Sequence, residues 1–244
     1  MKRLDTYSQN FLKSPLLVRE LISKSNLRVT DTVYDLGAGS GIISSVLADA
    51  VKKVVAVEYD SRLKTVLEKN LSAHRNVTIT IADALTIPLP KSPYKVFANI
   101  PFHISSPLVQ RFFNSPDAPQ AAYLIVQKQF GRKLEASDTT HFTSQLGMII
   151  GAEYTVKIIK NLKKSDFQPA PAVDTVCVEL VKRKTPLVEA HRLAAYQKYT
   201  AECFADPKKL AKLPIAVIGA TPGFSPSRLS LTQWIILFNS QKVY

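Results

Sequence analysis

The chain has 244 residues, 46% of them hydrophobic, with 15 prolines, 8 glycines and two cysteines. This composition is ample for a packed core, excludes a disordered tract or a disulfide framework, and fits one large α/β domain or a main domain with a small appendage. The formal charge of +13 is uneven, at +4 over residues 1–30, zero over 31–94, +5 over 95–184 and +4 over 185–244; a neutral block between basic ones suits a small cofactor bound beside a docked polyanion.

The opening hexapeptide Met1-Lys2-Arg3-Leu4-Asp5-Thr6 is polar, unlike a signal peptide, and the longest apolar runs are strand-length. A soluble, cytoplasmic protein with no membrane partner is therefore expected. Ser14-Pro15 offers an N-cap and a first-turn proline to a short helix over 14–26. Then β-like runs (32–36, 53–59, 77–82, 94–99, 121–126) alternate with helical ones (near 41–51, 61–73, 105–114 and 128–136). That alternation predicts a mainly parallel sheet with helices on both faces. Two further β runs, 154–160 and 173–182, bring the sheet to seven strands. Between them, the prolines of Phe167-Gln168-Pro169-Ala170-Pro171 prevent continuous pairing and predict a stiff turn. Thr185-Pro186 marks a boundary between a main domain over 1–184 and a small helical domain over 185–244, whose helical patterns run over 190–205, 207–218 and 231–239. Cys177 and Cys203 match no metal or redox spacing and read as buried thiols in a reducing compartment; no metal site is expected.

The ends of successive strands carry the chemistry. Asp35-Leu36-Gly37-Ala38-Gly39-Ser40-Gly41 follows a strand and opens a helix, and its glycines permit positive φ and a close approach to a ligand. A dinucleotide loop would place its third glycine at position 42, which is Ile42, so the pyrophosphate reading weakens. Glu58 ends the next strand, placed to accept from ribose hydroxyls. Asp83 ends the one after, placed to accept from an adenine amine. Asn99-Ile100-Pro101-Phe102 follows another buried strand and suits methyl transfer to a nitrogen conjugated with an aromatic ring. The lone pair of such an amine is delocalised, and two acceptors gripping its hydrogens would draw the nitrogen toward a tetrahedral geometry. The Asn99 side-chain oxygen and the Ile100 carbonyl would be those acceptors. Pro101 would fix the turn, and Phe102 would stack on a base turned out of its helix or loop.

Tyr7-Ser8-Gln9-Asn10-Phe11-Leu12, the glycine loop, Asn99–Phe102 with His103-Ile104-Ser105-Ser106, and Phe167-x-Pro-x-Pro-x-Val173 occur in one order that resembles the ribosomal RNA adenine dimethylase family. That family contains the erythromycin-resistance (Erm) methylases of large-subunit RNA and the dimethyladenosine transferases of small-subunit RNA. The likeness spans roughly residues 7–183 and implies a class I methyltransferase fold using S-adenosylmethionine. It implies that Gln9, Asn10, Leu12, Gly37, Gly39, Gly41, Glu58, Tyr59, Asp83, Ala84 and Asn99 hold the cofactor. It also implies that Asn99, Ile100, Pro101 and Phe102 form the catalytic turn. Ile100, Phe102 and the terminal stretch with Gln233-Trp234 and Leu237-Phe238-Asn239-Ser240 resemble the Erm branch. Val126-Gln127-Lys128-Gln129-Phe130 is as near to the small-subunit branch, and little matches in Pro207–Ser227.

The expected activity is therefore adenine-N6 methylation of 23S ribosomal RNA at the macrolide site, with resistance as its consequence. The substrate would be protein-free RNA or an early assembly particle, and the enzyme a monomer. The alternative is a small-subunit dimethyladenosine transferase acting in ribosome assembly. A DNA adenine methylase would more commonly have Asp-Pro-Pro-Tyr at this turn, and a non-enzymatic RNA-binding factor would not need the full motif set. Lys128, Arg132 and Lys133 on one helix are candidates for phosphate contact, or else a plain solvated face. Lys160, Lys163, Lys164 and Lys208, Lys209, Lys212 carry the same two readings. His103 beside the target turn reads more readily as a neighbour than as a base. His74, His141 and His191 show no ligand spacing, and Trp234 and Phe238 read as core.

Overall fold

The computed structural model describes residues 10–135, 143–206, 208–209, 215–219 and 225–241. Strands β1 (Phe11–Leu12), β2 (Thr32–Leu36), β3 (Lys53–Glu58), β4 (Val77–Ile81), β5 (Lys95–Asn99), β6 (Ala121–Gln127), β7 (Tyr154–Leu162), β8 (Phe167–Gln168) and β9 (Thr175–Lys182) are interspersed with helices. These are α1 (Pro15–Ser23), α2 (Ile42–Ala48), α3 (Lys64–Leu71), α4 (Ser105–Phe113), α5 (Lys128–Leu134), α6 (Gln145–Glu153), α7 (Leu193–Ala205) and α8 (Leu231–Ser240). The main sheet has seven strands in the order β4-β3-β2-β5-β6-β9-β7. Its first five strands pair parallel, with Leu36 level with Val57, Glu58 with Ile81 and Asn99 with Ile125. This is the mainly parallel seven-stranded sheet expected of a class I methyltransferase fold. No helix among the described residues is long and apolar enough to cross a membrane.

The strands follow from composition. β6 (AAYLIVQ) and the middle of β3 (VVAV) are continuous apolar runs rather than alternating ones, as strands covered on both faces must be. Ser14 caps α1 by accepting the Leu17 N–H, with Pro15 in the first turn. The chain leaves β2 for β3 on one side, while β5 lies on the other, so the strand order reverses between β2 and β5. Parallel sheets open a crevice outside the carboxyl ends of such neighbours. At the opposite edge the buried Lys95 ammonium donates to Asp31 Oδ2 and the Asn26 carbonyl, both at 2.7 Å. The Tyr123 hydroxyl accepts the Asn26 N–H at 2.6 Å.

By its internal contacts the chain divides into residues 1–128 with 159–179, and 129–158 with 180–244. This division differs from a single cut at residue 184 because α6, which the sequence pattern does not reveal, packs with the later helices. Met148 shares a core with Cys203, Leu229, Leu231, Trp234 and Leu237. Ala152 joins Tyr196 and Phe238. Trp234 stacks on Phe204 with centroids 5.3 Å apart, so both aromatic residues of the α8 face are core. The two cysteines are buried thiols, and burial pushes Cys177 up to about 12. Cys177 is therefore unreactive at neutral pH.

A second, two-stranded sheet has no counterpart in the sequence pattern. β1 pairs antiparallel with β8, Phe11 opposite Gln168 and Leu12 opposite Phe167, and the Lys13 N–H continues the ladder to the Asp166 carbonyl at 3.0 Å. The proline-rich stretch thus gives a short strand before its turn.

Candidate active site

Gly37, Gly39 and Gly41 all adopt positive φ, at 80°, 57° and 91°, a conformation costly to any residue with a Cβ. This backbone turns the loop's donors toward β3. The Val57 carbonyl accepts the Gly37 and Ala38 N–H groups at 2.8 and 3.0 Å, and Glu58 Oε2 accepts the Gly39 N–H at 2.7 Å. A phosphate-cradling loop presents such groups to its ligand. Here the Gly37, Ala38 and Gly39 groups are already engaged within the protein, which weakens the pyrophosphate reading further. Glu58 is 2% exposed, and its other oxygen accepts the Asp60 N–H at 2.7 Å. A carboxylate offers about four acceptor positions, so these two backbone bonds fix its orientation and leave capacity for a pair of hydroxyls. Asp83 takes the Leu85 N–H on one oxygen at 2.8 Å, combining the local cap with a place in the cavity wall.

The Asn99 turn closes the other side. The Ile100 N–H donates to the Ile125 carbonyl at 3.1 Å, extending the β5–β6 ladder past the strand. Pro101, at φ −54° and ψ 131°, then swings the chain into a short turn, its carbonyl accepting the Ile104 N–H at 3.1 Å. The Asn99 amide nitrogen donates to the Asn10 carbonyl at 2.7 Å. A carbonyl can only accept, so this bond fixes which end of the amide is which and leaves Oδ1 as the acceptor end. A Cβ placed on Gly37 would lie 3.8 Å from both the Asn99 carbonyl and the Pro101 ring; glycine loop and acceptor turn are in near contact.

The two sides enclose a cavity of about 520 Å³, within the usual range of about 300–1,000 Å³ for small-ligand sites. Its wall includes Asn10, Gly37, Glu58, Tyr59, Asp83, Ala84, Asn99, Ile100, Pro101 and Phe102. It also includes Phe11, Leu36, Asp60, Arg62, His103 and Leu108, of which the sequence alone singles out only His103 as a chemical candidate. Leu12, Gly39 and Gly41 do not line it. Leu12 is buried in β1. Gly39 supports Glu58, and a Cβ there would sit 2.7 Å from the Phe11 ring. Gly41 begins α2 and admits Leu67 and Leu71 of α3, 2.9 and 3.2 Å from where its Cβ would be. Gln9 lies outside the described residues, as do His141 and Lys212.

Beneath the loop, Asp35 is fully buried. Its Oδ2 accepts the Ser44 hydroxyl at 2.6 Å, and its Oδ1 has no partner among the described residues. Burial pushes this carboxyl up to about 7, the negative charge of Glu58 adds to the rise, and the Ser44 bond opposes it. In the unfolded chain the group titrates near 4. Between those values the folded protein holds the extra proton, so ionisation of Asp35 erodes stability as pH climbs from about 4 to about 7. Asp35→Asn keeps the acceptor for Ser44 without the charge. Its stability relative to wild type is expected to rise across that window by an amount on the order of a few kcal/mol. Urea unfolding at several pH values checks this; a difference independent of pH would refute it.

Among the candidate phosphate contacts, Arg132 and Lys133 are exposed and Lys128 is half-buried; none borders the cavity. Lys160 is paired with Glu20 at 2.7 Å, and together with Lys24 it holds that carboxyl down to about 2. Lys164 donates to the Ala172 carbonyl and Lys209 pairs with Glu202. His74 and His191 lie near Asp49 and Glu189. No cluster of three or more His, Cys, Asp or Glu side chains suited to a metal occurs among the described residues.

The family model of ribosomal RNA adenine dimethylase matches residues 2–212. An rRNA adenine N-6-methyltransferase from Escherichia coli is 31% identical over 186 residues, covering 76% of this chain and 74% of that one. The mitochondrial ribosomal RNA small subunit methyltransferase of Arabidopsis thaliana is 30% identical over 204 residues, 82% of this chain but only 53% of its own length. Among solved structures, the 23S rRNA methyltransferase ErmE superposes with a TM-score of 0.83 at 26% identity, over 94% of this chain and 98% of that one.

Proposed function

The chain belongs to the ribosomal RNA adenine dimethylase family, and from that premise we infer a mechanism and a substrate. It is an S-adenosylmethionine-dependent rRNA adenine N6-methyltransferase. The observation that carries the chemistry is the cavity at the β2/β5 reversal, lined by Glu58 and Asp83 on one side and on the other by Asn99, whose amide nitrogen is already engaged by Asn10.

S-adenosylmethionine, when bound, supplies an electrophilic methyl group. The residues fit such a ligand: Glu58 offers acceptors to ribose hydroxyls, Asp83 offers one to an adenine amine, and the exposed Tyr59 gives an aromatic face at the rim. Asn99 Oδ1 and the Ile100 carbonyl accept the two hydrogens of the target amine and localise its lone pair. Phe102 holds the extruded base by stacking. After transfer the amine is cationic and loses a proton readily to water, so His103 is not needed as a base. Orientation and electrostatic preorganisation account for the acceleration, without a covalent intermediate.

The substrate reading is large-subunit RNA at the macrolide-site adenine, with antibiotic resistance as its consequence. It is supported by the near-complete superposition on ErmE and by Ile100 and Phe102 in the acceptor turn. Small-subunit RNA is the second reading, favoured by the Arabidopsis relative. Excess cations over residues 95–244 suit either polyanion, and cytoplasmic action as a monomer is compatible with both. Tritiated methyl transfer to protein-free large- and small-subunit RNA, with the modified nucleotide mapped by primer extension, decides between them. Label confined to a large-subunit adenine is the expected result; label confined to small-subunit RNA would overturn the first reading.

A further inference from the structure

The β1–β8 pair lies outside the main sheet, yet it ends at the reacting groups. Asn10, immediately before β1, gives its carbonyl to the Asn99 amide at 2.7 Å. Phe11, the first residue of β1, lies so close to Gly39 that a methyl group there would meet its ring at 2.7 and 2.9 Å. A two-residue strand has little stability of its own. Its position depends on Gln168 and Phe167 opposite and on the Lys13 N–H donated to the Asp166 carbonyl at 3.0 Å.

The geometry points to the β1–β8 pair as a latch that sets the amide orientation of Asn99 and joins the acceptor turn to the cofactor loop. Asn10, Phe11 and the Lys13 backbone are positioning residues that act through Asn99 and Gly39, while Asn10 and Phe11 also border the cavity. With the latch closed, the Asn99 nitrogen is held by a carbonyl, which leaves its oxygen as the acceptor end of a residue that lines the cavity. With β1 released, the amide is free to rotate and to offer a donor where the target amine requires an acceptor. This rests on the proposed role of Asn99 and extends it to a segment 89 residues earlier in the chain.

Lys13→Pro removes one backbone N–H, and its side chain is exposed; an extended residue before it tolerates the ring. Lys13→Ala removes the same charge and keeps the N–H. In the full-length protein we expect Lys13→Pro to lower kcat about tenfold or more, since small misplacements of reacting groups carry costs of that order. Because Asn10 and Phe11 also border the cavity, S-adenosylmethionine affinity should fall too, but by a smaller factor than kcat, and Lys13→Ala should match wild type in both. Nitrogen-15 labelling of asparagine gives the second readout. The Asn99 side-chain signal, assigned by its absence in Asn99→Ala, should shift and exchange faster in Lys13→Pro. An unchanged kcat, or a lowered kcat with an unmoved Asn99 signal, overturns the latch. Should Lys13→Pro fail to fold, Phe11→Leu, which shrinks the ring braced on Gly39, takes its place, and the same two readouts support or overturn the latch in the same way. Wild-type transfer to ribosomal RNA is measured first; its absence would overturn the functional reading, while the Asn99 signal would still report on the latch.

Discussion

Asn99→Ala is expected to lower kcat for methyl transfer by about 10²–10³-fold, the scale of losing one preorganised hydrogen-bonding group from a reaction centre. S-adenosylmethionine affinity should change little. The Asn99 side chain donates to the Asn10 carbonyl and its residue lines the cavity, whereas the loop donors and the Glu58 carboxylate are held from β3. Single-turnover kinetics with saturating RNA, alongside calorimetric titration of the cofactor, separates the two quantities. A collapse in cofactor affinity with high residual turnover would assign Asn99 to binding rather than chemistry. Asn99→Asp sharpens the test. It retains an acceptor but sets a carboxylate oxygen against the Asn10 carbonyl, so activity should remain low although the shape is kept.

Glu58→Ala should act on the other arm, raising the cofactor dissociation constant about 100-fold. Two contributions combine. The ribose hydroxyls lose their acceptors, and the Gly39 and Asp60 N–H groups lose theirs, each at about 1–3 kcal/mol when buried and unpaired. The loop would then relax as well as bind less. Glu58→Gln keeps one oxygen and should fall between. Near-wild-type affinity for Glu58→Ala would show that the loop stands without its carboxylate and that the ligand's hydroxyls are held elsewhere.

Much of this site is legible in the sequence because a parallel sheet converts chain order into position. Once β2, β3, β4 and β5 are recognised as parallel neighbours, the residues after each must meet at one edge. Gly37, Glu58, Asp83 and Asn99 do so. Hidden features are those that depend on pairing at long range. Phe11 and Leu12 are two residues among polar neighbours, too short to register as a strand until Phe167 and Gln168 arrive from far along the chain. Helix α6 (QLGMIIGAE) is obscured by two glycines and an apolar surface without periodicity. Gly147 is required there, since a Cβ would lie 2.3 Å from the Lys133 carbonyl. The roles of Gly39 and Gly41 are legible only as "glycine"; what each makes room for, an aromatic ring or a neighbouring helix, is a fact of packing.

The inward-turned loop has a further consequence for selectivity. S-adenosylmethionine shares its adenosine with ATP and other adenine nucleotides that are abundant in any cell. With the Gly37, Ala38 and Gly39 N–H groups committed to the Val57 carbonyl and the Glu58 carboxylate, a triphosphate entering this crevice would find these donors already taken where phosphate-cradling loops leave them open. A loop that engages its amides inside the protein is thereby suited to the sulfonium-side linkage of its ligand rather than to a phosphate chain.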